Sequence, residues 1–135
     1  MANPEITQNT SEKITVMNPK YEFATLTASA AITVPAGQVL AFKASTKKYN
    51  LSKSGASAQA NAKAIMAESR TWGSAGDKRV RILIGGEVRV DDLTFDGTDT
   101  IDTLPSGASD TFRTQLRGYG IIVRSDADID EQDNS

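Results

Sequence analysis

The stretch RVRILIGGEVRVDDL, residues 79–93, decides how the chain is read. Val80, Ile82 and Ile84 alternate with Arg79, Arg81 and Leu83, and after Gly85-Gly86 the beat resumes through Glu87, Val88, Arg89 and Val90. A period of two places alternate side chains on opposite faces of a strand. The glycine pair permits positive φ, so the segment is either a tight hairpin or one long strand bent at a bulge. Val80, Ile82 and Ile84 are the expected core positions here, with Gly85 and Gly86 as backbone turn positions.

Outward from this stretch the pattern stays β-like. Short strands are expected over Tyr21 to Thr27, Ala31 to Val34, Gln38 to Lys43, Lys47 to Leu51 and Ala64 to Ala67, with Pro35-Ala36-Gly37 supplying turn chemistry. Trp72 to Gly76 reads as a flexible turn and Thr94 to Gly107 as an acidic loop. One helix stands out: Ser109 as N-cap, Asp110 in the first turn, Phe112 and Leu116 on one face, Arg113 and Arg117 at the basic end, and Gly118 as the stop. Ile121 to Val123 follows as a buried-type strand. Phe112, Leu116, Ile121 and Val123 complete the expected core. Many short strands and one late helix predict an α+β, mostly β fold, a small barrel or sandwich.

The ends differ from this body. Residues 1–20 are polar, carry two Asn-Pro pairs and hold one β-prone island, so they read as an N-terminal arm, disordered or extended in isolation, whose island Ile14, Thr15, Val16 and Met17 can add to a partner's sheet edge. The domain proper is expected over residues 21–124. Residues 125–135 form an acidic tail, read as solvated and disordered. Five of the 17 acids lie in the last ten residues, which leaves 12 against 15 Lys and Arg, so the body is basic although the whole chain carries −2.

At 135 residues the chain is one domain with a genuine core. It contains no Cys and no His, which removes disulfides, thiolate ligands and the commonest general base near neutral pH. The opening residues lack the basic flank and apolar run of a signal peptide, and no apolar run approaches a membrane span, so a soluble chain folded in a cytoplasm is expected.

Three constellations invite a chemical reading. Ser45 to Lys48 matches S-x-x-K and Lys53-Ser54-Gly55 faintly resembles K-T-G, but the two are too close together and fall on strand and turn. Asp91, Asp92, Asp96, Asp99 and Asp102 offer oxygen ligands, yet the loop lacks the D-x-[DN]-x-[DN]-G pattern and reads as solvated. Arg79, Arg81 and Arg89 with Trp72 would make a basic, aromatic strip for single-stranded nucleic acid. Alternation explains those arginines as the wet face of a strand. No enzymatic activity, cofactor, metal, direct nucleic-acid contact or membrane contact is expected.

Taken in order, four segments resemble one family, the head-decoration or capsid cement proteins of tailed bacteriophages of the lambda type. These are GQVLAF followed by KKYNL, then AKAIMAES, then RVRILIGGEVRVDDLTF, and last SDTFRTQLRGYGIIV, spanning about residues 37–123. The resemblance implies a homotrimer on the three-fold positions of an expanded head, where it stabilises the shell against internal DNA pressure. It implies an arm that adds to the sheet of the major capsid protein, and a location on the virion exterior after synthesis in the host cytoplasm. The loop of residues 94–107 and the acidic tail depart from the family pattern. Alternatives of the same composition are a phage tail-tube or fibre subunit, and a carbohydrate- or cation-binding β module using Trp72 and the acidic loop.

Overall fold

The computed structural model describes residues 16–56 and 59–124. Among the described residues eight strands are formed: β1 (Val16–Ala28), β2 (Ile32–Val34), β3 (Val39–Lys43), β4 (Lys48–Leu51), β5 (Ala62–Met66), β6 (Arg70–Trp72), β7 (Gly76–Arg89) and β8 (Ile121–Arg124), with one α-helix, α1 (Phe112–Gly118), before the last. The fold is mostly β, as the strand pattern predicts. Five strands close a barrel in the order β1-β4-β3-β5-β7, with β7 returning to β1. β8 lies parallel to the end of β7, from Gly86↔Ile121 to Arg89↔Arg124. β2 and β6 form a separate two-stranded sheet.

The glycine pair bends one strand and makes no hairpin. β7 runs through it without interruption, antiparallel to β1 from Ala28↔Gly76 to Val16↔Val88. The register shifts lie opposite the glycines, between Met17 and Tyr21 of β1, where Asn18 takes a φ of 55°. Gly86 has φ 126°, and a Cβ there would stand 3.0 Å from the Met17 carbonyl oxygen and 3.0 Å from a Val16 methyl. The bend also moves the alternation by one position. Val80 and Ile82 face one apolar cluster, with Ile84 partly buried against it, whereas Leu83 before the pair and Val88 after it face a second.

The first cluster joins Leu26, Leu40, Tyr49, Ala64 and Met66 of the barrel strands to Val34 and Trp72 of the small sheet. The second gathers Val39, Ala62, Ile65 and Leu83 under Phe112 and Leu116 of α1, with Ile121 and Val123 of β8. Burial on both faces of β3, β5 and β7 is what a chain with few aromatics needs to assemble enough apolar area. Gln115 ties the helix down. Its amide donates to the Ala60 carbonyl at 3.0 Å and accepts from the Ala62 N–H at 2.8 Å.

Several expectations are corrected. β1 starts at Val16, so Val16 and Met17 belong to the barrel sheet, where they pair with Val88 and Glu87, and the domain begins inside the region read as an arm. Two of the three glycines read as turn positions are ordinary: Gly85 lies within β7 and Gly118 within α1, and neither has positive φ. The chain reverses instead at Gly120, with φ 93°. The helix cap is Thr111, whose hydroxyl accepts from the Thr114 N–H at 3.4 Å, and Ser109 and Asp110 lie outside the helix. Trp72 stands in β6 rather than in a turn and is 2 % exposed, its indole N–H donating to the Gly76 carbonyl at 3.0 Å. Ile14, Thr15 and the acidic tail lie outside the described residues.

These assignments separate two substitutions. Gly86→Ala should destabilise the fold by roughly 1–3 kcal/mol, from its left-handed φ and the crowded Met17 carbonyl. Gly118→Ala, helical with open space beside it, should be neutral or stabilising by up to about 1 kcal/mol. Urea unfolding of the two variants reads the difference directly.

Candidate interaction surface

β1 and β7 form the longest antiparallel pair of the fold, and their alternation sorts charges and rings onto its outer face. Leu26 and Ala28 point into the core, which leaves Tyr21, Phe23, Thr25 and Thr27 outward; Val80 and Ile82 do the same for Arg79 and Arg81. Phe23 pairs with Arg81 and Thr25 with Arg79, and each guanidinium leans diagonally onto the next ring. The Arg81 Cζ lies 3.9 Å from the Tyr21 ring centre and the Arg79 Cζ 5.9 Å from that of Phe23. Such contacts place a guanidinium over a ring by cation–π attraction without using its hydrogen-bond donors. Phe23 is 59 % exposed and Tyr21 37 %, which places them among the most exposed large apolar side chains described.

The face ends in a polar clasp. Asp77 accepts from the Lys48 ammonium at 2.5 Å and from the Thr27 hydroxyl at 2.7 Å. The Lys48 bond, with Thr27 second, holds the Asp77 carboxyl below its ordinary range.

The inner side of the same ribbon shows a second feature. Only the parallel pair Leu26↔Tyr49 joins β1 to β4, so from Val16 to Thr25 the edge of β1 turned away from β7 carries no strand partner among the described residues. Beside this gap lies a cavity of about 300 Å³ lined by Glu22, Tyr49, Lys63, Ile84 and Tyr119. The Lys63 ammonium stands 4.3 Å from the Phe42 ring centre and 5.3 Å from that of Tyr119. Burial, with Glu22 and Tyr119 adding to it, raises the Tyr49 phenol above its ordinary range.

The residues singled out in the sequence are thus dispersed. Ser45 and Lys48 sit on and after the β3–β4 turn, and Lys48 is engaged with Asp77. Ser54 donates its N–H and hydroxyl to Asp99, at 2.9 and 2.5 Å, and Asp102 pairs with Arg113 at 2.8 Å. The acidic loop is therefore anchored as well as solvated, with Ile101 buried and Phe95 stacked on Phe112. Among the described residues no three acids converge as metal ligands would. Trp72 is unavailable to a ligand. The exposed rings of the arginine strip are Tyr21 and Phe23, which the sequence reading passed over. The signal was there: two rings two residues apart in a strand share one face.

Comparison with protein-family models, with curated proteins and with solved structures finds no match to this chain.

The two anchored carboxylates give a pH prediction. The Arg113 hydrogen bond holds Asp102 below its ordinary range, as Lys48 and Thr27 hold Asp77. A depressed folded pKa stabilises above the unfolded value of about 3.9, and the contribution is lost as pH falls through the lower, folded value. The melting temperature should therefore fall modestly on acidification below about pH 4, since both pairs are exposed. Asp102→Asn should show a shallower fall in a calorimetric pH series, and an unchanged slope would count against the pair.

Proposed function

We propose that this chain is a structural subunit that decorates the expanded head of a tailed phage, binding at three-fold positions as a homotrimer and stabilising the shell. The order of the four resembling segments motivates the reading. The observation that carries it furthest is the open edge of β1. A strand that enters the barrel from the N-terminal side, and whose edge over Val16 to Thr25 carries no strand partner among the described residues, supports a reading in which a strand of another protein is added here. Residues 1–15, with Ile14 and Thr15 directly before β1, supply the extension, and the major capsid protein supplies the sheet. The outer β1/β7 face, with exposed rings and arginines over them, has the composition of an interface centre.

On this reading the barrel contributes rigidity, and attachment comes from main-chain hydrogen bonds repeated three times per trimer. Sedimentation of the purified chain with expanded heads of a tailed phage whose genome encodes this chain tests the proposal. The chain should co-sediment at a fixed stoichiometry with expanded heads, and light scattering of the bound and free protein should report trimers. A chain that stays in the supernatant at micromolar concentration contradicts it.

A further inference from the structure

The outward row of β7 presents Arg79 and Arg81 two residues apart, and neither guanidinium meets a carboxylate among the described residues. Each stands over a ring, Arg81 at 3.9 Å and Arg79 at 5.9 Å, and a guanidinium so placed can still offer its N–H groups to a carboxylate. Two residues of extended chain repeat at about 6.6–6.8 Å, so the face offers a cationic ladder of that spacing. The sequence carries its complement: Asp126, Asp128 and Asp130 also alternate, and repeat at the same spacing when extended. We propose that the acidic segment Asp126 to Asp130 of one copy lies along the Tyr21–Phe23–Arg79–Arg81 face of a neighbouring copy. This rests on the trimer reading, which it supplies with a contact: a tail laid on the next subunit is a head-to-tail interface that closes a ring at three copies.

The topology favours a neighbouring copy over the same chain. β8 runs parallel to β7 and Arg124 stands opposite Arg89, so the chain leaves the sheet heading away from Arg81. Asp126, Asp128 and Asp130, two, four and six residues on, reach back no more than roughly 7, 14 and 22 Å. The eight residue steps of β7 from Arg81 to Arg89 follow a path of about 26 Å, shortened somewhat by the glycine bend.

The absence of cysteine makes the test clean. Full-length Thr25→Cys and full-length Asp128→Cys are prepared separately, mixed and oxidised, with Ser74→Cys in place of Thr25→Cys as control. Disulfide-linked heterodimers should form at least about fivefold faster than in the control and decline as salt screens the contact. Adding Arg79→Asp and Arg81→Asp should slow cross-linking about tenfold, the combined effect of losing two exposed ion pairs and placing like charges in their stead. Asp126→Lys with Asp130→Lys on the other partner should restore it. Cross-linking no faster than the control overturns the proposal. So does a double-cysteine chain that closes on itself at high dilution as fast as the mixture reacts. If a labelled oligothymidylate instead binds the full-length chain and Arg79→Asp with Arg81→Asp abolishes that binding, the face serves single-stranded nucleic acid and the proposal falls. Head co-sedimentation by a chain lacking residues 125–135 distinguishes the two readings, because it leaves decoration standing whatever becomes of the tail contact.

Discussion

Removal of residues 1–15 should leave the melting temperature of the protein unchanged and weaken its attachment to expanded heads by at least about a hundredfold. The stability half follows from where the sheet starts. β1 is paired with β7 from Val16 onward, and Val16 packs against the second apolar cluster, so a cut before Val16 keeps every strand pair of the described residues. On the proposed reading the attachment half follows from the arm itself, because the cut keeps the edge of β1 from Val16 to Thr25 and removes only the segment that adds to the capsid protein's sheet. Ordering a residue costs roughly 1–2 kcal/mol of backbone entropy, which Ile14 and Thr15 offset only by gaining a strand neighbour and main-chain hydrogen bonds on a partner. In the proposed trimer three such contacts would multiply through effective concentration by about 10²–10⁴, and all three would go with the arm. A cut two residues later behaves differently. Loss of Val16 and Met17 removes their pairs with Val88 and Glu87 and should lower the melting temperature as well. If the chain lacking residues 1–15 decorates heads as tightly as the full chain, the attachment surface lies on the globular body.

Leu116→Ala should cost about 2–5 kcal/mol of folding stability, a large share of the roughly 5–15 kcal/mol that a domain of this kind possesses. Leu116 is fully buried on the inward face of α1, together with Phe112, over Val39, Ile65 and Leu83 of the barrel strands and beside Ile121 of β8. A seven-residue helix has almost no stability of its own and is held by this apolar face. The cavity left by the truncated side chain would open between the helix and the outer barrel wall, where strands hydrogen-bonded on both sides cannot collapse to fill it. Urea unfolding monitored by circular dichroism measures the loss. A midpoint within error of the parent protein would mean that α1 presents another face to the barrel.

Strand positions were legible because alternation is a local property. The period-two pattern of residues 79–90 located β7, and turn residues separated β2, β3 and β4. What escaped was set by contacts distant in sequence. Leu83 sits in a charged, alternating segment and reads as outward, yet it is buried because α1 and β8 cover the outside of the barrel there. β6 is three residues long, and its pairing with β2 across an intervening 35 residues leaves no signal in Arg70-Thr71-Trp72 itself. The cap moved from Ser109 to Thr111 because both residues can accept from a free N–H, and the packing of Phe112 and Leu116 chose between them. Gly118 and Gly120 are equally plausible stops, and the register of β8 against β7 selected the second. The interaction face was half legible: Arg79 and Arg81 were placed on the wet side correctly, but their rings lie on β1, a strand some 60 residues earlier that only the tertiary pairing Phe23↔Arg81 brings alongside.

Cryo-electron microscopy of expanded heads mixed with the full-length chain tests the central claim most directly. The account predicts three copies of the barrel around each three-fold position, with a strand entering each β1 from the capsid side and main-chain density continuous with the capsid protein's sheet. Heads without added density, or single barrels attached through a surface remote from the edge of β1, would contradict it.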